Sequence, residues 1–196
     1  MKDLEAGKRR FELVIFDVDG TLVETYGLRL LPNVESFFQL VLNGNCPHPP
    51  ELAIATNQGG VGMRCWMERG GFGKPEKYPT EMEVSERLQT LVSLLGGGQK
   101  LRVYVSFGYR TRAGKWAPAP TGSEGDPRWS PEWRKPKPGM LLQAMADAGA
   151  RPEQTLFIGD REDDRNAAAA AGCAFAWAGD FFARPWEDCS RLSGFV

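Results

Sequence analysis

Histidine is almost missing from this chain: the single residue, His48, sits in the Pro-rich turn CPHPP. A Ser-His-Asp triad or a His-rich zinc site would have to rest on it alone, so neither chemistry is expected. Cysteine is scarce. Cys46, Cys65, Cys173 and Cys189 include no C-x-x-C pair, and four in 196 residues do not read as a disulfide framework. They are expected to be reduced thiols of a cytoplasmic protein. Long apolar runs are lacking. The stretch from Ala167 to Ala178 comes closest, but it is too short to span a bilayer and Gly172 interrupts it, so no membrane partner is expected. The N-terminal MKDLEAGKRR is basic without a following apolar region, which argues against a secretory leader. Excess charge of one sign is also lacking. With a net charge of -1, the chain as a whole is not a basic nucleic-acid arm.

What is present is an ordinary globular composition, 42% hydrophobic and 25% charged, in a length suited to one domain. Residues 1–196 are read as a single domain with its core at about 11–182. Apolar runs at 11–17, 51–56, 101–107 and 154–158 predict buried strands, with a short fifth strand at 173–177. Helices are predicted at about 33–43, with Asn33 as N-cap, and from Thr80 to about Leu95, where Thr80 and Glu83 form a capping-box pattern. Two more are predicted at Gly139–Ala148 and at about Glu162–Ala171. Alternating strands and helices imply an α/β fold, a doubly wound three-layer sandwich around a central parallel sheet. Residues 59–79 and 108–137 read as long irregular stretches, which in a compact domain are usually functional.

The acids fall at the predicted carboxyl ends of strands, the edge where open α/β sheets bind ligands. Strand one ends in DVDGT (17–21), strand two in TNQGG (56–60) and strand four in GDREDD (159–164), and RKPKPG (134–139) precedes a helix. One crevice would then hold several carboxylates, a hydroxyl and an ammonium. Crowded carboxylates repel unless protonated or bridged by a cation, and oxygen-only donors suit a hard ion such as Mg²⁺. A carboxylate can attack phosphorus to give an aspartyl-phosphate. A second acid nearby can protonate the leaving oxygen and later deprotonate water. A lysine and backbone N–H groups can hold charge on the transferring group.

These residues resemble the haloacid dehalogenase superfamily of phosphatases, most of all subclass III, which includes histidinol phosphatase, heptose bisphosphatase and the phosphatase domain of polynucleotide kinase-phosphatase. The resemblance covers about residues 12–178 and rests on four motifs in the family's order. It implies a Rossmann-like fold and a Mg²⁺-dependent phosphomonoesterase acting on a small phosphorylated substrate. In DVDGTL (17–22), Asp17 is implied as nucleophile, Asp19 as general acid/base, and Gly20 as part of the phosphate-binding turn. In ATNQGG (55–60), Thr56 and the backbone near Asn57 are implied phosphate contacts. In RKPKPGM (134–140), Lys135 is implied as the charge-stabilising lysine and Arg134 as a substrate contact. In GDREDD, Asp160 is an implied metal ligand, Asp164 a supporting acid in the metal site, and Arg161 a substrate contact. The metal would also take the Asp17 side chain and the Asp19 main-chain carbonyl. A helix N-cap is the competing reading of Asp164. Asp163 reads as a solvated first-turn acid and Lys137 as a surface lysine.

The departures carry information. Residues 108–133 contain neither Cys nor His, so the zinc loop common in heptose bisphosphatases is not expected. No G-x-x-x-x-G-K-[ST] run is present, so there is no sign of an attached kinase. About thirty residues separate the first two motifs, too few for a large cap domain. Residues 100–137 interleave Lys and Arg with Tyr104, Phe107, Tyr109, Trp116, Trp129 and Trp133. Such a pattern can grip single strands, which keeps a polynucleotide 3′-phosphatase as the alternative. The preferred reading is a loop pinned down by its Trp residues. A non-catalytic phosphate-binding module is the remote alternative, and no oligomeric state is specified.

Overall fold

The computed structural model describes residues 11–195, so the N-terminal basic stretch lies outside the described residues. Five strands form one parallel sheet in the order β3-β2-β1-β4-β5. They are β1 (Leu13–Phe16), β2 (Glu51–Asn57), β3 (Leu101–Ser106), β4 (Thr155–Gly159) and β5 (Ala174–Trp177). The helices are α1 (Val34–Leu42), α2 (Gly60–Gly70), α3 (Glu81–Leu94), α4 (Gly139–Ala148) and α5 (Glu162–Ala171), followed by a single turn at Ala178–Phe181. The central strand β1 is buried on both faces, and its side chains alternate between two cores. Val14 and Phe16, with Leu52 and Ile54, face α1 and α3. Leu13 and Ile15, with Ala53 and Ala55, face α4 and α5. This is the three-layer α/β sandwich that the alternation predicts.

From β1 the chain moves outward through β2 and β3, then crosses back to β4 on the other side of β1. That reversal opens a crevice beyond the carboxyl end of β1. Residues 18–31 form a small flap held by bridges from Val23 to Asp19 and to Leu30, which leaves no room for an inserted cap between the first two motifs.

Several expectations need correction. The 59–79 stretch is not irregular: it holds α2 and a 3-10 turn at Pro75–Lys77. Glycines at both ends and a weak apolar stripe hide this helix, which is fixed by packing of Val61 and Met67. Residues 108–137 are indeed largely irregular, with one 3-10 turn at Pro127–Trp129. Asn33 precedes α1 without capping it. It adopts φ 65 and its Nδ2 donates to the Phe182 carbonyl at 2.8 Å.

The core also extends past residue 182. Trp186 and Leu192 are buried, and Phe181 packs on Phe16, Phe37 and Trp186 with centroids 4.6–6.0 Å apart. The cysteines are not all free: Cys46 and Cys189 are bonded, with Cα atoms 5.7 Å apart across a separation of 143 residues. No spacing rule could show this, because the pairing depends on the tail folding back over α1. It also removes the thiol argument for a reducing compartment. Under denaturing, non-reducing conditions two thiols, Cys65 and Cys173, should alkylate, and four after reduction. Four labels before reduction would remove the cross-link. No helix among the described residues is long and apolar enough to cross a membrane.

Candidate active site

The crevice is a cavity of about 910 Å³, and Asp17, Asp19, Thr56, Lys135, Asp164 and Arg134 are among the groups that line it. Asp17 follows β1 directly, and its N–H continues the sheet by donating to the Ile158 carbonyl at 2.9 Å. The nucleophile candidate is therefore carried by the fully buried central strand, where its position is fixed.

Lys135 is almost fully buried, and its Nζ has three acceptors: Asp17 Oδ1 at 2.7 Å, Asp164 Oδ1 at 2.7 Å and the Ala55 carbonyl at 2.8 Å. An ammonium has three protons, so every donor is used. Burial alone would pull the Lys135 pKa down, but the two carboxylates outweigh it and the net shift is upward, so the residue is charged. Burial pushes Asp17 up, Lys135 opposes that, and the like charge of Asp164 adds to the rise.

Asp164 resolves the two sequence readings by combining them. Its Oδ2 accepts from the N–H groups of Asp160 and Arg161, at 3.2 and 3.0 Å, at the start of α5. Its other oxygen holds Lys135. The same carboxylate closes the helix end and braces the lysine. Gly159 permits this approach, since a Cβ there would lie 2.5 Å from the Asp164 Cβ. Asp160, exposed just beyond β4, completes the acidic group. Carboxylate oxygens of Asp17, Asp160 and Asp164 lie within 4.8 Å of one another. Burial, and then the charge of Asp164, raise the Asp160 pKa. Three carboxylates face one ammonium, so the site has an electrostatic preference for a further cation.

The remaining sequence-predicted residues fall as follows. Gly20 has φ 85, and its N–H donates to the Val23 carbonyl at 2.9 Å, so its amide is spent inside the flap rather than offered to a ligand. Its contribution is space: a Cβ would lie 2.3 Å from Asp160 Oδ2. Thr56 is buried, and its Oγ1 accepts from Gln58 Nε2 at 3.1 Å. Asn57 braces the lysine loop. Its Nδ2 donates to the Lys135 carbonyl at 3.0 Å and its Oδ1 accepts from the Lys135 N–H at 3.1 Å. Arg134 donates to the Gly108 carbonyl at 3.0 Å. Neither Arg134 nor Arg161 makes an ion pair among the described residues, and both line the cavity. Burial lowers the Arg134 pKa, although the Asp163 charge works against that. Asp163 is an exposed first-turn acid, and Lys137 is an exposed lysine 3.7 Å from Glu132.

Asp19 has partners that sequence reasoning missed. Arg87, from α3, forks it through Nη2 to Oδ1 at 2.6 Å and Nη1 to Oδ2 at 3.2 Å. Gln58 Nε2 donates to Oδ2 at 3.0 Å and the Tyr26 N–H to Oδ1 at 2.8 Å. Burial pushes the Asp19 pKa up, but the Arg87 bonds, then those from Tyr26 and Gln58, outweigh it and the net shift is downward. As arranged, Asp19 is a carboxylate rather than a proton donor. Gln58 lies inside a motif and could have been singled out there. Arg87 flanks the Val84, Leu88, Leu91 stripe of α3, and nothing local marks it.

Comparisons with known proteins agree with this geometry. The HAD-hydrolase-like family model matches residues 132–179, from the lysine loop through β5. Phosphoglycolate phosphatases of Salmonella typhimurium and Pseudomonas putida are 50% identical over 40 residues and 51% identical over 39. Each match covers 20% of this chain but only 16% and 14% of the relative, so the chain spans about a sixth of the curated relatives it matches. The D,D-heptose 1,7-bisphosphate phosphatase of B. bronchiseptica, solved with magnesium and phosphate, has a TM-score of 0.57 at 18% identity, covering 94% of this chain and 97% of that one. A putative HAD-like phosphatase of Mesorhizobium loti has a TM-score of 0.54 at 22% identity, covering 84% and 70%. At these identities the structural likeness shows the fold. The HAD-hydrolase-like match extends over the lysine loop, α4, β4, α5 and β5, and the likeness to the solved phosphatases extends over the whole sheet.

Proposed function

We propose that the chain is a phosphomonoesterase acting on a small phosphorylated metabolite, such as a sugar phosphate or bisphosphate, through an aspartyl-phosphate on Asp17. The observation that carries this reading is the buried Lys135 ammonium holding Asp17 at 2.7 Å on the wall of a cavity that also contains two arginines without carboxylate partners among the described residues. Burial penalises the charge of the half-buried Arg134, and an anionic ligand would offset that penalty, while the exposed Arg161 adds positive charge at the cavity mouth.

In the first step an Asp17 oxygen attacks phosphorus as the bond from phosphorus to the leaving oxygen breaks. Asp19, once protonated, gives its proton to that oxygen, and the product leaves as an alcohol. In the second step Asp19 takes a proton from water. The water oxygen attacks phosphorus, the Asp17–phosphorus bond breaks, and phosphate is released with the Asp17 carboxylate restored. Lys135 keeps charge off the Asp17 oxygen that it holds, and Arg134 and Arg161 orient the phosphate oxygens.

The donor set fits Mg²⁺: it is all oxygen, closely grouped and short of positive charge. Asp17, Asp160 and the Asp19 carbonyl would hold the ion. Asp164, with both oxygens engaged, would support them or exchange a partner. A bound Mg²⁺ offsets the repulsion between the carboxylates and a phosphate dianion. A small substrate is favoured because residues 100–137 are mostly committed internally. Arg102 pairs with Glu51, Arg128 with Asp126 and Glu81, and Trp133 Nε1 donates to the Val105 carbonyl.

The test is phosphate release, with Mg²⁺ or with chelator, from sugar phosphates, sugar bisphosphates, histidinol phosphate and a 3′-phosphorylated oligonucleotide. Release from small esters should vanish with chelator and return with added Mg²⁺. A wide preference for the oligonucleotide would shift the reading to end processing. No release from any ester with Mg²⁺ present would make the chain a phosphate-binding module.

A further inference from the structure

Asp19 is saturated. A carboxylate offers about four acceptor sites, two on each oxygen. Oδ1 accepts from the Tyr26 N–H and Arg87 Nη2, and Oδ2 accepts from Gln58 Nε2 and Arg87 Nη1. No site remains for a proton on its way to a leaving oxygen. The arrangement is therefore a resting one, and at least one donor must withdraw before proton transfer.

The four bonds are not equally easy to break. The Tyr26 N–H belongs to the flap backbone, and Gln58 is buried and also tied to Thr56. Arg87 supplies two of the bonds and is the charged donor. It lies at the cavity wall, where its side chain keeps 17% of its exposure. Its Nε and Nη2 also donate to the Gly27 carbonyl at 3.2 and 3.0 Å, so the same guanidinium latches the flap to α3. An anion competes for Arg87 far better than for an amide, and a guanidinium can take phosphate or carboxylate through its fork. If Asp19 serves the leaving oxygen, whatever hangs from that oxygen lies beside Asp19 and within reach of Arg87.

We infer that Arg87 is a specificity residue that binds a second anionic group on the leaving-group side of the substrate, and that its transfer from Asp19 to that group frees Asp19 to act. This rests on the phosphomonoesterase reading above. It adds that the preferred ester carries a distal phosphate or carboxylate, and that such an ester triggers its own turnover.

The experiment measures kcat and KM for the native chain, Arg87→Gln and Arg87→Lys, with Mg²⁺. The substrates are a sugar bisphosphate, phosphoglycolate and glycerol 2-phosphate. The first two carry a distal phosphate and a distal carboxylate, and the third carries neither. The native chain should prefer one or both anionic esters. In Arg87→Gln the ratio of kcat/KM for the preferred ester over glycerol 2-phosphate should fall about 30- to 100-fold, the range for losing a charge-assisted bond. Arg87→Lys should recover part of that ratio. Which anionic ester suffers identifies the distal group. Equal losses on all three substrates would make Arg87 a structural latch and overturn the inference. So would a native chain with no preference, a result that needs no variant to fold. A native chain inactive on every ester would instead sink the phosphomonoesterase reading, and this inference with it.

Discussion

Asp17→Asn is expected to reduce turnover at least about 10⁴-fold, the scale of losing a covalent nucleophile, while leaving the fold intact. The two side chains have the same shape, and the amide oxygen can still accept from Lys135 Nζ, now 2.7 Å from Asp17 Oδ1. What disappears is the negative charge that, on the proposed route, attacks phosphorus. Stability should change little for two reasons. Asp17 is buried, and desolvation already penalises its charged form. Lys135 also keeps Asp164 as a counter-charge at 2.7 Å. Single-turnover phosphate release and a thermal melt on one preparation check both halves. Residual activity above about 1% would rule out the aspartyl-phosphate route. A large drop in melting temperature would mean that the Asp17–Lys135 pair is needed for folding.

The parts legible in the sequence are those with local causes. α4 and α5 begin and end where expected, because Gly149 and Gly172 stop them with φ 65 and 75, values that ordinary residues resist. α3 opens at the expected capping box, with Thr80 and Glu83 bonded reciprocally. The strands announce themselves by short apolar runs, fully buried in β1 and β4 and partly so in the others. The motif residues converge because three of the four motifs sit at carboxyl ends of adjacent strands, which follows from the strand order alone.

The parts that were hidden depend on contacts distant in the chain. Arg87 reaches Asp19 across 68 residues, and Cys46 reaches Cys189 across 143. The tail has no motif, yet its Trp186 closes an aromatic cluster with Phe37 and Phe181. Asn33 carries the expected cap residue type, but a partner in the tail, the Phe182 carbonyl, claims its side chain instead. In each case a tertiary partner decides, and composition near the residue is silent about it. The pairing of Arg87 with Asp19 matters most, since without it the acid/base candidate looks ready when it is in fact fully engaged.

Lys135→Met should cost both activity and stability, which separates it from Asp17→Asn. Methionine fills nearly the same volume, so the cavity is not the cause. Removing the ammonium leaves Asp17 and Asp164 buried with no cation between them, and it takes one donor from the Ala55 carbonyl. Breaking a buried pair by deleting one partner costs about 3–5 kcal/mol. The sign of the pH dependence follows. Without Lys135, both burial and the like charge of Asp164 push Asp17 upward. A carboxyl group whose folded pKa is raised favours the folded state at low pH and loses that advantage as pH rises through the folded pKa. The melting-temperature gap between native chain and variant should therefore be wider at pH 8 than at pH 5. Added Mg²⁺ should narrow it at pH 8, because a cation among the acids replaces part of the missing charge. A pH-independent gap would mean that Lys135 acts through packing on the Phe157 ring, 5.2 Å below its Nζ, rather than through charge. Activity should fall by several orders of magnitude in the same variant, since the group that balances charge at Asp17 is gone. A stable but inactive variant would place Lys135 in catalysis alone, and an active one would remove it from the site.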